Sequence, residues 1–256
     1  MGECVLLERD ERIALITLNR PDRLNAVNQQ LWDEFGAALD TAHHDPDVWA
    51  VVVTGRGRAF CAGADLGDVD RTGVGEEALQ APDRMYQLGL GLLWKPVIAA
   101  VNGYALAAGW WIAQACDVRI AAQSAQFGIP ETRWNLRADF VTDLTRIVGL
   151  GHALEIAMWG DRRISAERAY QMGFVNQVVP DTEVVNEAMD WARRVCRLGP
   201  RSVAVIKESL YRGWGAPTEA GSDLARSLGL SLAGMSDTKE GPRAFLERRA
   251  PRYQNR

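Results

Sequence analysis

Residues 95–117 read KPVIAAVNGYALAAGWWIAQACD, and this stretch decides the fold class. Val97 to Val101 is a short, continuous apolar run of the kind that fills a buried strand. Asn102-Gly103 is a turn signal, the small residues Ala105-Leu106-Ala107-Ala108-Gly109 follow, and an apolar helical stretch then ends near Cys116-Asp117. A strand that passes into a helix through a turn of small residues is a building unit of α/β proteins. Small side chains let a ligand touch the backbone. The first N–H groups of a helix lack internal acceptors and attract anionic oxygen. Trp110 and Trp111 stand directly behind the turn, where proton chemistry would want a titratable group.

The same alternation continues on either side. Ile13 to Leu18 is an apolar strand closed by Asn19-Arg20-Pro21. Leu31, Phe35 and Leu39 recur at helical spacing and predict a helix over about 28–43. Val48 to Thr54 is a second buried strand, ended by Gly55 to Gly57. Gly67 to Asp83 is rich in Gly, Asp and Glu and reads as an exposed, mobile loop with a helix starting near its end. Asp117 to Ala121 reads as a strand, Ser165 to Met172 as a helix closed by Gly173, and Phe174 to Val179 as a further strand. From about Thr182 onward the pattern is helical, with Val184, Val185, Ala188, Trp191, Ala192 and Val195 on one apolar face. The expected fold is α/β with parallel crossovers, no exact internal repeat, and a helical C-terminal quarter suited to oligomerisation.

Composition narrows the function. The 256 residues are 47% hydrophobic and 24% charged, ordinary for a soluble domain with a sizeable core. A net charge of −4 gives no electrostatic case for nucleic acid. No apolar run approaches the ~18 residues of a membrane span. The N-terminal MGECVLLERDERI lacks the apolar core of a signal peptide, and Leu6 stands where myristoylation would need Ser or Thr. Cys4, Cys61, Cys116 and Cys196 form no CxxC pair, so free, mostly buried thiols in a reducing cytoplasm are expected. The three histidines, His43, His44 and His152, offer neither a Ser-His-Asp hydrolase nor a metal site.

Two glycine-rich loops carry the chemistry. One is AFCAGADL at 59–66, the other Gly103 to Gly109. Each can present an unhindered backbone N–H, and two such donors aimed at one thioester oxygen make an oxyanion hole for an enolate or tetrahedral intermediate. Either loop alone is equally consistent with close helix–strand packing.

Taken together, these blocks identify a resemblance. LNRPDRLNAVN at 18–28, VVVTGRGRAFCAGADL at 51–66, KPVIAAVNGYALAAG at 95–109, CDVRIAA at 116–122, AQFGIPETRWNL at 125–136, GDRRISAERAYQMGFVNQVV at 160–179 and FLERR at 245–249 are similar, in order and spacing, to the enoyl-CoA hydratase/isomerase (crotonase) superfamily. The resemblance implies a spiral of ββα units over an acyl-CoA-binding core, 1–195. A C-terminal helical trimerisation region, 196–256, would follow. It implies homotrimers or dimers of trimers, a coenzyme A thioester as substrate and no further cofactor. By position, Ala64 and Ala108 would be the oxyanion donors. The family usually has three glycines where this chain has Ala107-Ala108-Gly109, so the methyl groups narrow the hole.

Family hydratases use two glutamates. Glu131 stands at the second position, in Phe127-Gly128-Ile129-Pro130-Glu131, but the first is Trp111. An indole donates a hydrogen bond and cannot accept a proton. Family isomerases work with one carboxylate at the Glu131 position, and dienoyl-CoA isomerases add an aspartate eight residues later, where Asp139 stands. Asp139 also reads as the cap of a helix starting near Phe140. Glu131 itself reads either as an acid/base with a pKa raised by burial or as a loop carboxylate bonded to backbone N–H groups. Trp111 and Trp134 would wall the acyl pocket, or both indoles at 110–111 would pack in the core. The resemblance places the coenzyme along Arg23-Leu24 and Ala62 to Leu66, including Asp65. Phe245 and Arg248 of a neighbouring subunit would touch it, and Arg248, Arg249, Arg252 and Arg256 form a tail that is either phosphate-binding or solvated. Double-bond isomerisation fits these residues better than hydration. Thioester hydrolysis, decarboxylation and C–C cleavage remain open, as does an inactive acyl-CoA binder.

Overall fold

The computed structural model describes residues 3–67 and 93–256, so most of the loop expected at 67–83 lies outside the described residues. Two sheets form the centre. The larger has six strands, β1 (Val5–Asp10), β2 (Ile13–Leu18), β3 (Ala50–Gly55), β5 (Val97–Val101), β7 (Val118–Ala122) and β10 (Gln177–Val179), in spatial order β1-β2-β3-β5-β7-β10. The smaller has β4 (Ala59–Cys61), β6 (Tyr104–Leu106), β8 (Gln126–Gly128) and β9 (Ile164–Ser165), in that order. β1 and β2 form an antiparallel hairpin and β9 runs antiparallel to β8; among the described residues every other pairing of these strands is parallel. The chain therefore climbs in turns. β3–β4, β5–β6 and β7–β8 each place one strand in the large sheet and the next in the small one, giving the expected crotonase-like spiral.

Residue type explains the layers. AVVVTG in β3 and VIAAV in β5 are buried at every position, as strands covered on both faces should be. One face carries helix α6 (Val184–Val195), which packs on β3, β5 and β7 through Val184, Ala188 and Ala192. Helix α2 (Ala108–Ala115) packs on the small sheet. Helix α1 (Gln29–His44) lies on β1 and β2 with Leu31, Phe35 and Leu39 inward, as the spacing predicts. Asn28 caps its start by accepting the Leu31 N–H at 2.9 Å. Lys95 closes its end by donating to the Ala42 and Asp45 carbonyls at 2.7 and 2.6 Å.

Element edges differ from expectation where helix ends claim residues. The strand expected over Phe174–Val179 shrinks to β10, because the Phe174 and Val175 N–H groups both turn back to the Ala169 carbonyl. They thereby finish helix α5 (Ala166–Gln171), which Ser165 caps. Helices α3 (Val141–Val148) and α4 (Leu150–Met158) follow the small sheet's third strand. Beyond α6, the chain forms α7 (Pro200–Gly213), α8 (Thr218–Gly229) and α9 (Ser236–Leu246). Asp117 ties α7 to the core, accepting from Lys207 Nζ at 2.7 Å, Tyr211 Oη at 2.8 Å and the Val97 N–H at 2.7 Å. All four cysteines are free, and burial pushes the Cys61 and Cys116 thiols up to about 12, which makes them inert.

Candidate active site

Three segments leave the same end of three adjacent parallel strands. The register sets Cys61 beside Ala105 and Leu106 beside Gly128, so the residues after β4, β6 and β8 emerge side by side. The carboxyl ends of parallel strands are where α/β proteins place ligands.

The first segment is 62–66. Val27 donates to the Gly63 carbonyl at 2.8 Å and accepts from Asp65 at 2.9 Å. In a parallel bridge those flanking groups do the pairing, so the N–H of the central residue, Ala64, faces away from Val27. Ala64 is exposed. The Ala62 N–H donates to the Leu24 carbonyl at 3.0 Å, and Arg20 pairs with Asp65 at 3.1 Å. Arg23-Leu24 and 62–66 are thus brought together along one rim, with the Leu66 side chain about half exposed.

The second segment is the turn into α2. Ala107 adopts φ 52° and ψ −119°, a conformation suited to glycine. Its N–H is held by the Gly128 carbonyl at 3.0 Å, and its own carbonyl accepts from Trp111. Ala108 then opens the helix, with an N–H that has no acceptor inside it. The turn touches the first loop: a Cβ on Gly63 would lie 2.7 Å from the Ala107 Cβ, and one on Gly109 would lie 2.0 Å from the Cys61 carbonyl oxygen. The glycines at 63 and 109 are what allow the two loops to close on one another.

The third segment is the 3-10 turn Pro130–Trp134. Proline opens it, and Asn135 at φ 55° ends it. The Leu136 N–H bonds back to the Glu131 carbonyl at 2.9 Å. Gly160 backs the turn so closely that a Cβ there would meet Thr132 Oγ1 at 2.5 Å. Glu131 is only 8% exposed, and its Oε2 is buried with no hydrogen-bond partner. The reading of a carboxylate satisfied by several backbone N–H groups does not hold for that oxygen. Burial pushes the Glu131 carboxyl up to about 7, near the pKa wanted of a group that both takes and returns a proton.

The paired tryptophans diverge. Trp110 is fully buried, stacked on Phe174 at 4.2 Å between ring centroids, and donates to Gln114 Oε1 at 3.0 Å. Gln114 in turn donates to the Phe140 carbonyl at 2.8 Å. Trp111 is half-buried and stacks with both Trp32 (5.9 Å, 28°) and Phe140 (5.8 Å, 13°). It lines a mainly apolar cavity of about 710 Å³. Trp134 stands apart from that cavity, half-exposed with the Arg133 guanidinium over its ring. Asp139 lies at the rim of the same cavity, but its side chain is 73% exposed and pairs with Arg137 at 3.3 Å. It does not cap α3: Phe140 holds that position without any side-chain bond, and Asp139 offers only its carbonyl, to Thr142. The residues between 135 and 140 form an irregular surface path before the helix starts, which moves Asp139 out of capping reach.

Phe245 is 82% exposed at the end of α9, and Arg248, at φ 54°, turns back to its carbonyl. The basic tail is partly spoken for: Arg249 pairs with Glu240 at 2.6 Å and with Glu247 at 2.6 Å. Asp237 pins residues 254 and 255 through their N–H groups. Two contributors escaped the sequence. Trp32 and Gln114 organise Trp111 and Phe140, and no spacing rule links position 32 to position 111. Among the described residues, no cluster of His, Cys, Asp or Glu is placed to hold a metal ion, and no helix is long and apolar enough to cross a membrane.

A strand spiral that brings two touching glycine-type turns and one buried carboxyl with an unpartnered oxygen to one end has the layout of a crotonase-type protein. A sequence model of the enoyl-CoA hydratase/isomerase family matches residues 8–256, and the chain belongs to that family. It is 36% identical to a probable enoyl-CoA hydratase of Mycobacterium tuberculosis, over 99% of both chains. It is 35% identical to the 2,3-dehydroadipyl-CoA hydratase of Escherichia coli, over 98% of this chain and 99% of that one. Among solved structures, the enoyl-CoA hydratase of Bacillus anthracis superposes with a TM-score of 0.93 at 32% identity, covering 99% of this chain and all of that one. The protein is an acyl-CoA enzyme of the enoyl-CoA hydratase/isomerase type.

Proposed function

We propose that this enzyme moves a double bond along an acyl-CoA through a thioester enolate, with Glu131 as the acid/base. The Ala64 and Ala108 N–H groups hold the thioester oxygen. The Glu131 carboxylate takes a proton from C2 of a 3-enoyl-CoA, and the electron pair spreads into the enolate. The same carboxyl returns the proton at C4, leaving the double bond between C2 and C3 and Glu131 ionised again. Coenzyme A lies along Arg23, Leu24, Ala62, Asp65 and Leu66, and Phe245 and Arg248 reach the coenzyme of a neighbouring copy in a homotrimer or dimer of trimers. The free thiols and the bacterial relatives favour the cytoplasm as its site of action.

The observation that carries this reading is the buried Glu131 with its unpartnered Oε2, in a chain that offers tryptophan, not a second carboxylate, at position 111. Hydration needs water held between two proton-exchanging groups; isomerisation needs one. Asp139, solvated and paired with Arg137, is a poor second base. The rival is hydration, the activity in the names of the relatives. Purified protein assayed on 3-enoyl- and 2-enoyl-CoA separates the two. Isomerisation lost in Glu131→Gln is expected; fast hydration that survives Glu131→Gln overturns the proposal. Hydrolysis, decarboxylation or C–C cleavage would appear as different products on the same panel.

A further inference from the structure

Helix α2 links the reacting end to the cavity. Ala108, Trp111 and Ala115 fall at i, i+3 and i+7, so they share one side of the helix. Trp111 and Ala115 line the cavity, which therefore begins on the helix face that starts at Ala108. At about 710 Å³ the cavity is of a size that holds small molecules. Phe140, Ile147 and Val195 form its core side, and Leu210 and Trp214 at the end of α7, 67% and 57% exposed, its outer side. Such a surface favours an apolar cover.

Trp111 lines this space about one helical turn after Ala108. Its ring stacks with Trp32 and with Phe140. Phe140 is fixed in turn through its carbonyl to Gln114, which Trp110 holds from the core side. A ring that stacks with two partners cannot swing aside without giving up both stacks.

We propose that Trp111 is the specificity-determining residue that closes the cavity off from the thioester site. It confines this enzyme to short acyl groups, and the space behind it takes an alkyl tail only once the indole is removed. The proposal rests on the acyl-CoA reading above. Calorimetric binding of saturated acyl-CoAs from butanoyl to dodecanoyl tests it, because these bind without a double bond to move. Wild-type affinity is expected to stop rising after the first few carbons. In Trp111→Ala and Trp111→Leu it is expected to climb with chain length, by about fourfold per added methylene (~0.8 kcal/mol for each one buried). Trp111→Leu keeps an apolar contact and guards against loss of folding, which thermal melting checks. Wild-type affinity that climbs through dodecanoyl overturns the proposal whether or not either variant folds. So does a Trp111→Leu profile parallel to wild type, the result expected if a second copy of the chain fills the groove. No binding of any acyl-CoA by the wild type sinks the acyl-CoA reading itself, whereas butanoyl binding with an unchanged length profile sinks only the gate.

Discussion

The turn at 130–134 and the segment at 137–140 each offer one carboxylate, eight residues apart, in opposite surroundings. Glu131 sits in a 3-10 turn backed by Gly160 and α4, nine-tenths buried, with one oxygen unpartnered. Asp139 rides an irregular surface path, largely solvated and paired with an arginine two residues away. A carboxylate becomes reactive at neutral pH through what is kept from it, namely water and hydrogen-bond donors. Its spacing in the sequence does not control that; the packing behind the turn does.

The hardest blow falls on Glu131. Glu131→Gln keeps the shape and removes the exchangeable proton, so turnover should fall by about 10²–10⁴-fold. With the carboxyl pushed up to about 7, a reaction that starts by proton removal should also gain rate as pH rises through about 7 and level off above it. A pH–rate profile flat from 5 to 9 would remove Glu131 from the chemistry. Next comes the turn that carries the second candidate donor. An alanine at Gly109 would force a methyl group against the Cys61 carbonyl, which is backbone inside a strand and cannot yield. Gly109→Ala should cost ~3 kcal/mol of stability, read from chemical denaturation.

These two regions also show what a sequence can carry. The buried strands at Ile13–Leu18 and Val97–Val101 were legible residue by residue, because apolar runs of that length have few other uses. The short strands of the small sheet were not: AFC, YAL and QFG are three residues each, too brief for any period to show. Yet those strands aim all three site segments at one another. The family blocks located Glu131 and the two turns by position, but neither the missing partner of Oε2 nor the burial of the carboxyl has a local signature. The same blindness hid the Trp32–Trp111–Phe140 stack, whose members come from three distant parts of the chain.

Stability against pH sharpens the contrast further. The folded-state pKa of Glu131 is raised above its unfolded value, so folding favours the protonated form. The group's contribution is fully favourable below the unfolded pKa of about 4.5 and is lost as pH rises through about 7. Glu131→Gln has no charge to bury. It should be more stable than wild type at pH 8 by about 2 kcal/mol, allowing for residual solvent screening, and should lose that advantage by pH 4.5. Urea titrations at the two pH values give the comparison directly. Ala107→Gly is a smaller change of the same kind. It relieves a left-handed φ at a residue bearing a methyl group, and should stabilise the protein by up to ~1 kcal/mol. An Ala107→Gly variant less stable than wild type would mean that the methyl packing against the Gly63 loop outweighs the backbone strain.

The smallest expected effect lies at Asp139. Its partner, Arg137, is more than half exposed, and exposed pairs of this kind contribute less than ~0.5 kcal/mol. No side-chain cap is lost with it, because α3 begins without one. Asp139→Asn should therefore leave stability within ~0.5 kcal/mol and turnover within about twofold of wild type, far from the 10²-fold scale of a lost proton-transfer group. Denaturation and steady-state rates on the same 3-enoyl-CoA measure both. A drop approaching 10²-fold in turnover with stability unchanged would mean that the surface path carrying Asp139 folds inward over bound substrate. The two carboxylates would then be partners, not opposites, and the single-base mechanism would give way to a two-carboxylate one.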